Sequence, residues 1–77
     1  MRIAVLDHEP DQLQLINQAM AGFGHECHPY TEGRTLLQAL RRQTFDLLIL
    51  DWGLPDIRGI DVVKAVRNEL KSRLPIL

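Results

Sequence analysis

Acids stand where two short apolar runs stop. Ile3-Ala-Val-Leu6 is followed by Asp7, with His8 and Glu9 next, and Leu47-Leu-Ile-Leu50 is followed by Asp51, then by Trp52-Gly53 and Leu54-Pro55. A buried strand that ends on an acid and a turn delivers the carboxylate to the edge of a sheet. If the two strands are neighbours, their acids meet. Carboxylates about 5 Å apart repel by about 3 kcal/mol at an effective dielectric of about 20, so a pocket holding Asp7, Glu9 and Asp51 calls for a cation or a proton. A hard divalent ion with oxygen ligands is the natural occupant. A carboxylate beside such an ion can also act as a nucleophile toward a phosphoryl group, because the metal neutralises oxygens that would otherwise repel it.

The positioning elements are legible as two apolar patterns taking turns. Arg2–Leu6 is a short β-leaning run. From Pro10 to Phe23, Leu13, Ile16, Met20 and Phe23 recur three or four apart, with Pro10 suited to a first helical turn and Gly22 and Gly24 to its end. Glu26–Tyr30 reads as a second strand, placed on a sheet edge because Pro29 lacks an N–H. Thr31 is the expected cap of a second helix with Leu36, Leu37 and Leu40 inward and Arg34, Arg41 and Arg42 in water. Phe45–Leu50 is the third strand, Gly59–Leu70 a third helix with Val62, Val63, Val66 and Leu70 on one face, and Leu74–Leu77 the start of a fourth strand. Alternation at this spacing implies right-handed crossovers and a parallel sheet covered on both faces. The unbroken run Leu47–Leu50 reads as a strand buried on both sides. Ligands of such sheets collect at the carboxyl ends of the strands, where strand order reverses.

Composition narrows the function classes. The 77 residues allow one domain, and 45% hydrophobic with 25% charged residues is ordinary for a globular chain. Nine basic and ten acidic residues give a net charge of −1, which offers no field for nucleic acid and no polybasic patch for a membrane. A single cysteine, Cys27, excludes an internal disulfide and suits a reducing compartment. No signal peptide precedes the first strand and no apolar stretch nears the roughly 20 residues of a membrane helix, so a cytoplasmic location is expected.

Other motifs carry less. His25-Glu-Cys-His28 contains metal-ligand types, but in a strand His25 and Cys27 share one face while His28 takes the other. Gly22-Phe-Gly24 is a helix stop without the further glycines of a dinucleotide fingerprint. Trp52 reads as a loop residue shielding the acidic pocket, and Arg41-Arg42 as a solvated helix face.

Taken together, these segments resemble the receiver domains of two-component response regulators along the entire chain. "AVLDHEP" is similar to the acidic-pocket segment, "LLILDWGLPDIRG" to the phosphoacceptor strand and loop, and "RLPIL" to the start of the fourth strand. The resemblance implies an α/β, flavodoxin-like three-layer fold with a parallel sheet of order 2-1-3-4-5. Residues 1–77 are then expected to form one receiver domain, incomplete at the carboxyl end, with the family's switch Ser/Thr and its Lys beyond Leu77. By the same resemblance Asp51 accepts a phosphoryl group from a histidine kinase or phosphotransfer protein, as an aspartyl phosphate, and the output is a process such as transcription. Asp7, Asp51 and the Gly53 main-chain carbonyl would hold Mg²⁺. His8 stands where the family carries a second acid that ligates the metal directly, so His8 enters the ligand set, Mg²⁺ is expected to bind more weakly, and Mn²⁺ becomes an alternative.

Such a domain is a signalling module rather than an enzyme, at most catalysing its own phosphorylation and dephosphorylation. DNA would be reached only through an output domain outside this segment. A homodimer or a domain swap is a further expectation, because strand three would present an uncovered edge. Two other readings share the residues: an unphosphorylated interaction module, and an aspartate-nucleophile phosphatase. The phosphatase usually needs a second acid two residues on, where Gly53 sits.

Overall fold

The apolar runs become strands and the periodic segments become helices. In the computed structural model, which describes residues 1–77, β1 (Arg2–Leu6), α1 (Pro10–Gly22), β2 (Glu26–Tyr30), α2 (Gly33–Arg42), β3 (Leu47–Leu50) and α3 (Gly59–Lys64) follow one another, and α3 runs on into a π-helical turn over Ala65–Glu69. The strands form one parallel sheet of order β2-β1-β3, with Leu6 beside Tyr30 on one side and Leu50 on the other. A fourth strand begins outside β3: the Leu48 and Leu50 amides donate to Pro75 and Leu77 carbonyls at 2.9 and 3.0 Å, and Leu77 N–H donates back to Leu48 at 2.8 Å. The edge expected to be bare is therefore partly paired. Pro29 sits on the outer strand β2, as its missing N–H requires.

Two apolar layers sandwich the central strand. Ala4, Leu6, Leu48 and Leu50 pack with Leu36 of α2 and with Val62, Val66 and Leu74 on one face. On the other face Ile3 and Val5 meet Leu13, Ile16 and Met20 of α1. Only β1 is closed on both sides. In β3, Leu48 and Leu50 are buried while Leu47 and Ile49 are half-buried, so the expectation of a doubly buried third strand is corrected: α1 alone covers that face, and it lies toward β2, away from β3.

Three further boundaries differ from the sequence reading. β3 starts at Leu47, not Phe45, because the Phe45 ring turns against β2: it lies under the Arg2 guanidinium at 5.1 Å and edge-on to His28 and Tyr30 at 5.3 and 6.4 Å. Helix α2 begins at Gly33 after Glu32, and no side chain next to it caps it, so Thr31 is not the cap. The third helix is not α-helical to Leu70. Leu70 N–H reaches Ala65 O, five residues back, at 3.0 Å, and Lys71 at φ 55° ends the helix. No helix is long and apolar enough to cross a membrane.

Candidate functional site

Adjacent strands in matched register bring the first acids together. Asp51 N–H donates to Leu6 O at 2.8 Å and Asp7 N–H to Tyr30 O at 3.0 Å, so each acid follows directly on the ladder and both side chains emerge at the carboxyl edge. Ligand-type atoms of Asp7, His8 and Asp51 all lie within 4.8 Å of one another. His8 Nδ1 is 2.7 Å from Asp51 Oδ2 and 3.9 Å from Asp7 Oδ1. Glu9 stays outside the cluster: its amide, not its carboxylate, engages Asp7 Oδ1, at 2.9 Å, while its side chain points to solvent with Oε1 3.7 Å from His8 Nε2.

Gly53 contributes its main chain. Its N–H donates to Asp51 Oδ1 at 3.1 Å, leaving each Asp51 oxygen with one partner. This amide and then the His8 imidazole hold the Asp51 carboxyl below the ordinary carboxylate range, so it is ionised at neutral pH. The hydrogen bond that His8 Nδ1 donates to Asp51 raises the His8 pKa above its ordinary value, against the opposing effect of desolvation. Two carboxylates suit a hard cation, whereas the imidazole suits a softer one, so the set fits a divalent ion with Mn²⁺ favoured relative to an all-oxygen site. Trp52 stands exposed with its ring against Gly59, where a Cβ would come within 2.8 Å of Trp52 Cδ2.

The loop after Asp51 holds a residue that the sequence did not single out. The Asp56 carboxylate accepts from the Gly33 and Arg34 amides at 3.0 and 3.1 Å, closing the start of α2 from another part of the chain. Beside it, the Ile57 side chain occupies the space where a Cβ on Gly33 would lie. Only contact across the fold could reveal this, since the partners are more than 20 residues apart. The cysteine–histidine stretch forms no comparable cluster: His28 Nε2 pairs with Glu26 at 2.7 Å and His25 Nδ1 lies 3.3 Å from the chain's amino group.

The family model described as the response regulator receiver domain matches residues 3–77. The chain belongs to that family. Among relatives of this receiver, the probable transcriptional regulatory protein TcrX of Mycobacterium tuberculosis is 33% identical over 75 residues, covering 97% of this chain and 32% of TcrX. The chemotaxis protein CheY of Pseudomonas aeruginosa is 32% identical over 79 aligned positions, covering 100% of this chain and 64% of CheY. The receiver thus spans a third to just under two thirds of these relatives. Response regulator TrrA, solved with histidine kinase ThkA, superposes with a TM-score of 0.89 at 31% identity over 97% of this chain and 64% of that one. The same TrrA from Thermotoga maritima has been solved with Mg²⁺ and BeF, with a TM-score of 0.85 and 91% and 61% of the two chains covered. The fold of this receiver is accordingly the flavodoxin-like one, with β2, β1 and β3 in the expected order.

Proposed function

We propose that this receiver takes a phosphoryl group on Asp51 from a histidine kinase or phosphotransfer protein and hands the signal to an output such as transcription. The observation that carries the reading is the placement of an ionised Asp51 at the carboxyl edge, with Asp7 and His8 within 4.8 Å. Asp51 oxygen attacks phosphorus, an O–P bond forms as the P–N bond of a phosphohistidine breaks, and the leaving imidazole takes a proton. The product is a mixed anhydride on Asp51. A divalent ion, Mg²⁺ or Mn²⁺, held by Asp7, Asp51, the Gly53 carbonyl and His8 would supply charge neutralisation between donor and acceptor. Gly53 N–H fixes the rotation of the carboxylate through Oδ1. The added charge then favours one of two arrangements of the surrounding loops and helices.

The kinase partner is supported by TrrA, which was solved with histidine kinase ThkA. In this reading residues 1–77 belong to one receiver domain, act in the cytoplasm, and are no enzyme beyond their own phosphorylation and dephosphorylation. The test is labelling of the full chain by acetyl phosphate with Mg²⁺ or Mn²⁺. One acyl phosphate per chain, abolished by Asp51→Asn, is the expected result. Labelling retained in the variant would move the site elsewhere, and steady release of phosphate would mean a phosphatase. A second reading, an unphosphorylated interaction module, is favoured by the 2.7 Å His8–Asp51 pair, which occupies one carboxylate oxygen; no labelling of the wild type would select it.

A further inference from the structure

Asp51 is held by a loop that is itself held elsewhere. From Trp52 to Arg58 the chain has no regular structure, yet it carries the amide that fixes Asp51 Oδ1. Four contacts pin this segment. The Trp52 ring lies on Gly59, Leu54 packs against the core, Ile57 fills the space above Gly33, and Asp56 takes the first amides of α2. Three of these are apolar and tolerate sliding. The Asp56 bonds are directional and charge-assisted, and they set the distance between the loop and the start of α2.

The start of α2 is arranged around this guest. It has no capping side chain of its own and no acid in its first turn. Its first residue, Gly33, is buried and carries no Cβ, which is what lets Ile57 and Asp56 come close. Removing the Asp56 carboxylate would free two amides of α2 and, three residues along the chain from Gly53, release the loop's polar tie to α2. The loop regains conformational freedom, and Gly53 N–H spends less time on Asp51.

We infer that Asp56 is a positioning residue for phosphoryl transfer: by capping α2 from the loop that follows Asp51, it keeps the Gly53 amide on the accepting carboxylate and ties the position of α2 to the state of the site. This rests on Asp51 being the phosphoacceptor. Coupling of this kind is reciprocal. A phosphoryl group on Asp51 therefore changes how strongly Asp56 holds the Gly33 and Arg34 amides.

The test compares Asp56→Ala with Gln38→Gly, a change on the exposed face of α2 that loosens the helix without touching the loop. Both variants are assayed in the full chain for melting temperature, for the rate of labelling by acetyl phosphate, and for the Gly53 amide resonance. Asp56→Ala is expected to label about fivefold or more slowly and to shift the Gly53 resonance, whereas Gln38→Gly, at similar loss of thermal stability, changes neither. In the wild type, labelling should alter hydrogen exchange at Gly33 and Arg34. Equal labelling rates for the two variants, or an unmoved Gly53 resonance, would overturn the inference while leaving the phosphoacceptor reading intact. A wild type that takes no label would remove that reading and this inference with it.

Discussion

His8 Nδ1 lies 2.7 Å from Asp51 Oδ2, so an imidazole occupies one oxygen of the carboxylate on which the proposed chemistry depends. The pair and a bound cation compete. The raised His8 pKa means that the pair's contribution is fully present below the ordinary histidine value of about 6.5 and is lost as pH rises through the raised folded value. Cation binding follows the opposite course. His8→Asp should tighten Mg²⁺ by on the order of tenfold, with the largest gain on the acid side, and should lessen the preference for Mn²⁺. Trp52 fluorescence, from the residue next to Asp51, reads the titration. Equal affinities for both proteins at every pH would show that the imidazole swings clear of the metal.

Gly33 and Ile57 should be energetically coupled. Alanine is the better helix former by about 1 kcal/mol, and Gly33 has no left-handed backbone to protect, so propensity alone would make Gly33→Ala stabilising. The new Cβ instead lands in the Ile57 side chain. Overpacking of this sort costs about 1–3 kcal/mol, which outweighs the propensity gain. We expect Gly33→Ala to destabilise the fold and Ile57→Ala in the same chain to restore part of the loss. Additive effects in denaturant melts would contradict the contact.

Asp56 should matter less as the solution is acidified. Burial opposes its ionisation, but the Gly33 and Arg34 amides prevail and hold its pKa below the ordinary value. A carboxylate with a lowered folded pKa contributes stability that is present above the unfolded value, about 3.9, and lost as pH falls through the folded one. Asp56→Ala is therefore expected to cost about 1 kcal/mol near neutrality. The gap between variant and wild type should narrow below about pH 4. A gap independent of pH in urea melts would mean that the carboxylate is not what closes α2.

A polypeptide of these 77 residues should self-associate. Leu47 and Ile49 are only half-buried beneath α1, and Leu77, beyond β3, is 75% exposed on a strand with a single bridge. Unpaired backbone next to apolar side chains is a template for another chain. Sedimentation in dilute solution is expected to give a dimer or larger species, and a monomer with one cooperative melting transition would refute the expectation.

The first two strands were legible in the sequence to the residue, because Asp7 follows Arg2–Leu6 and Gly22 and Gly24 precede Glu26–Tyr30, signals that act locally. The meeting of Asp7 with Asp51 was legible too, once the two strands were taken as neighbours. Misreadings arose where a distant group decides. Phe45 has the propensity of a strand residue but leaves the strand for Arg2 and His28. Thr31 has the chemistry of a cap, yet the cap comes from Asp56. Glu9 has the charge to join the pocket, but its amide satisfies Asp7 instead. His8 was visible as a departure from the family's paired acids, while its bond to Asp51 needed the register of β1 against β3.

Pro29 gives the sheet a direction of growth. Glu26 N–H donates inward to Met1 O at 2.9 Å, so by the two-residue period of a strand the donors of His28 and Tyr30 also face β1, and positions 27 and 29 face out. At position 29 there is no donor to offer. A strand at the outer side of β2 finds one rung missing from its ladder, whereas on the β3 side Leu48 and Leu50 offer both amides, and Pro75–Leu77 takes them. Pro29 therefore disfavours growth of the sheet beyond β2, while the opposite flank, past β3, is the one that already accepts a further strand.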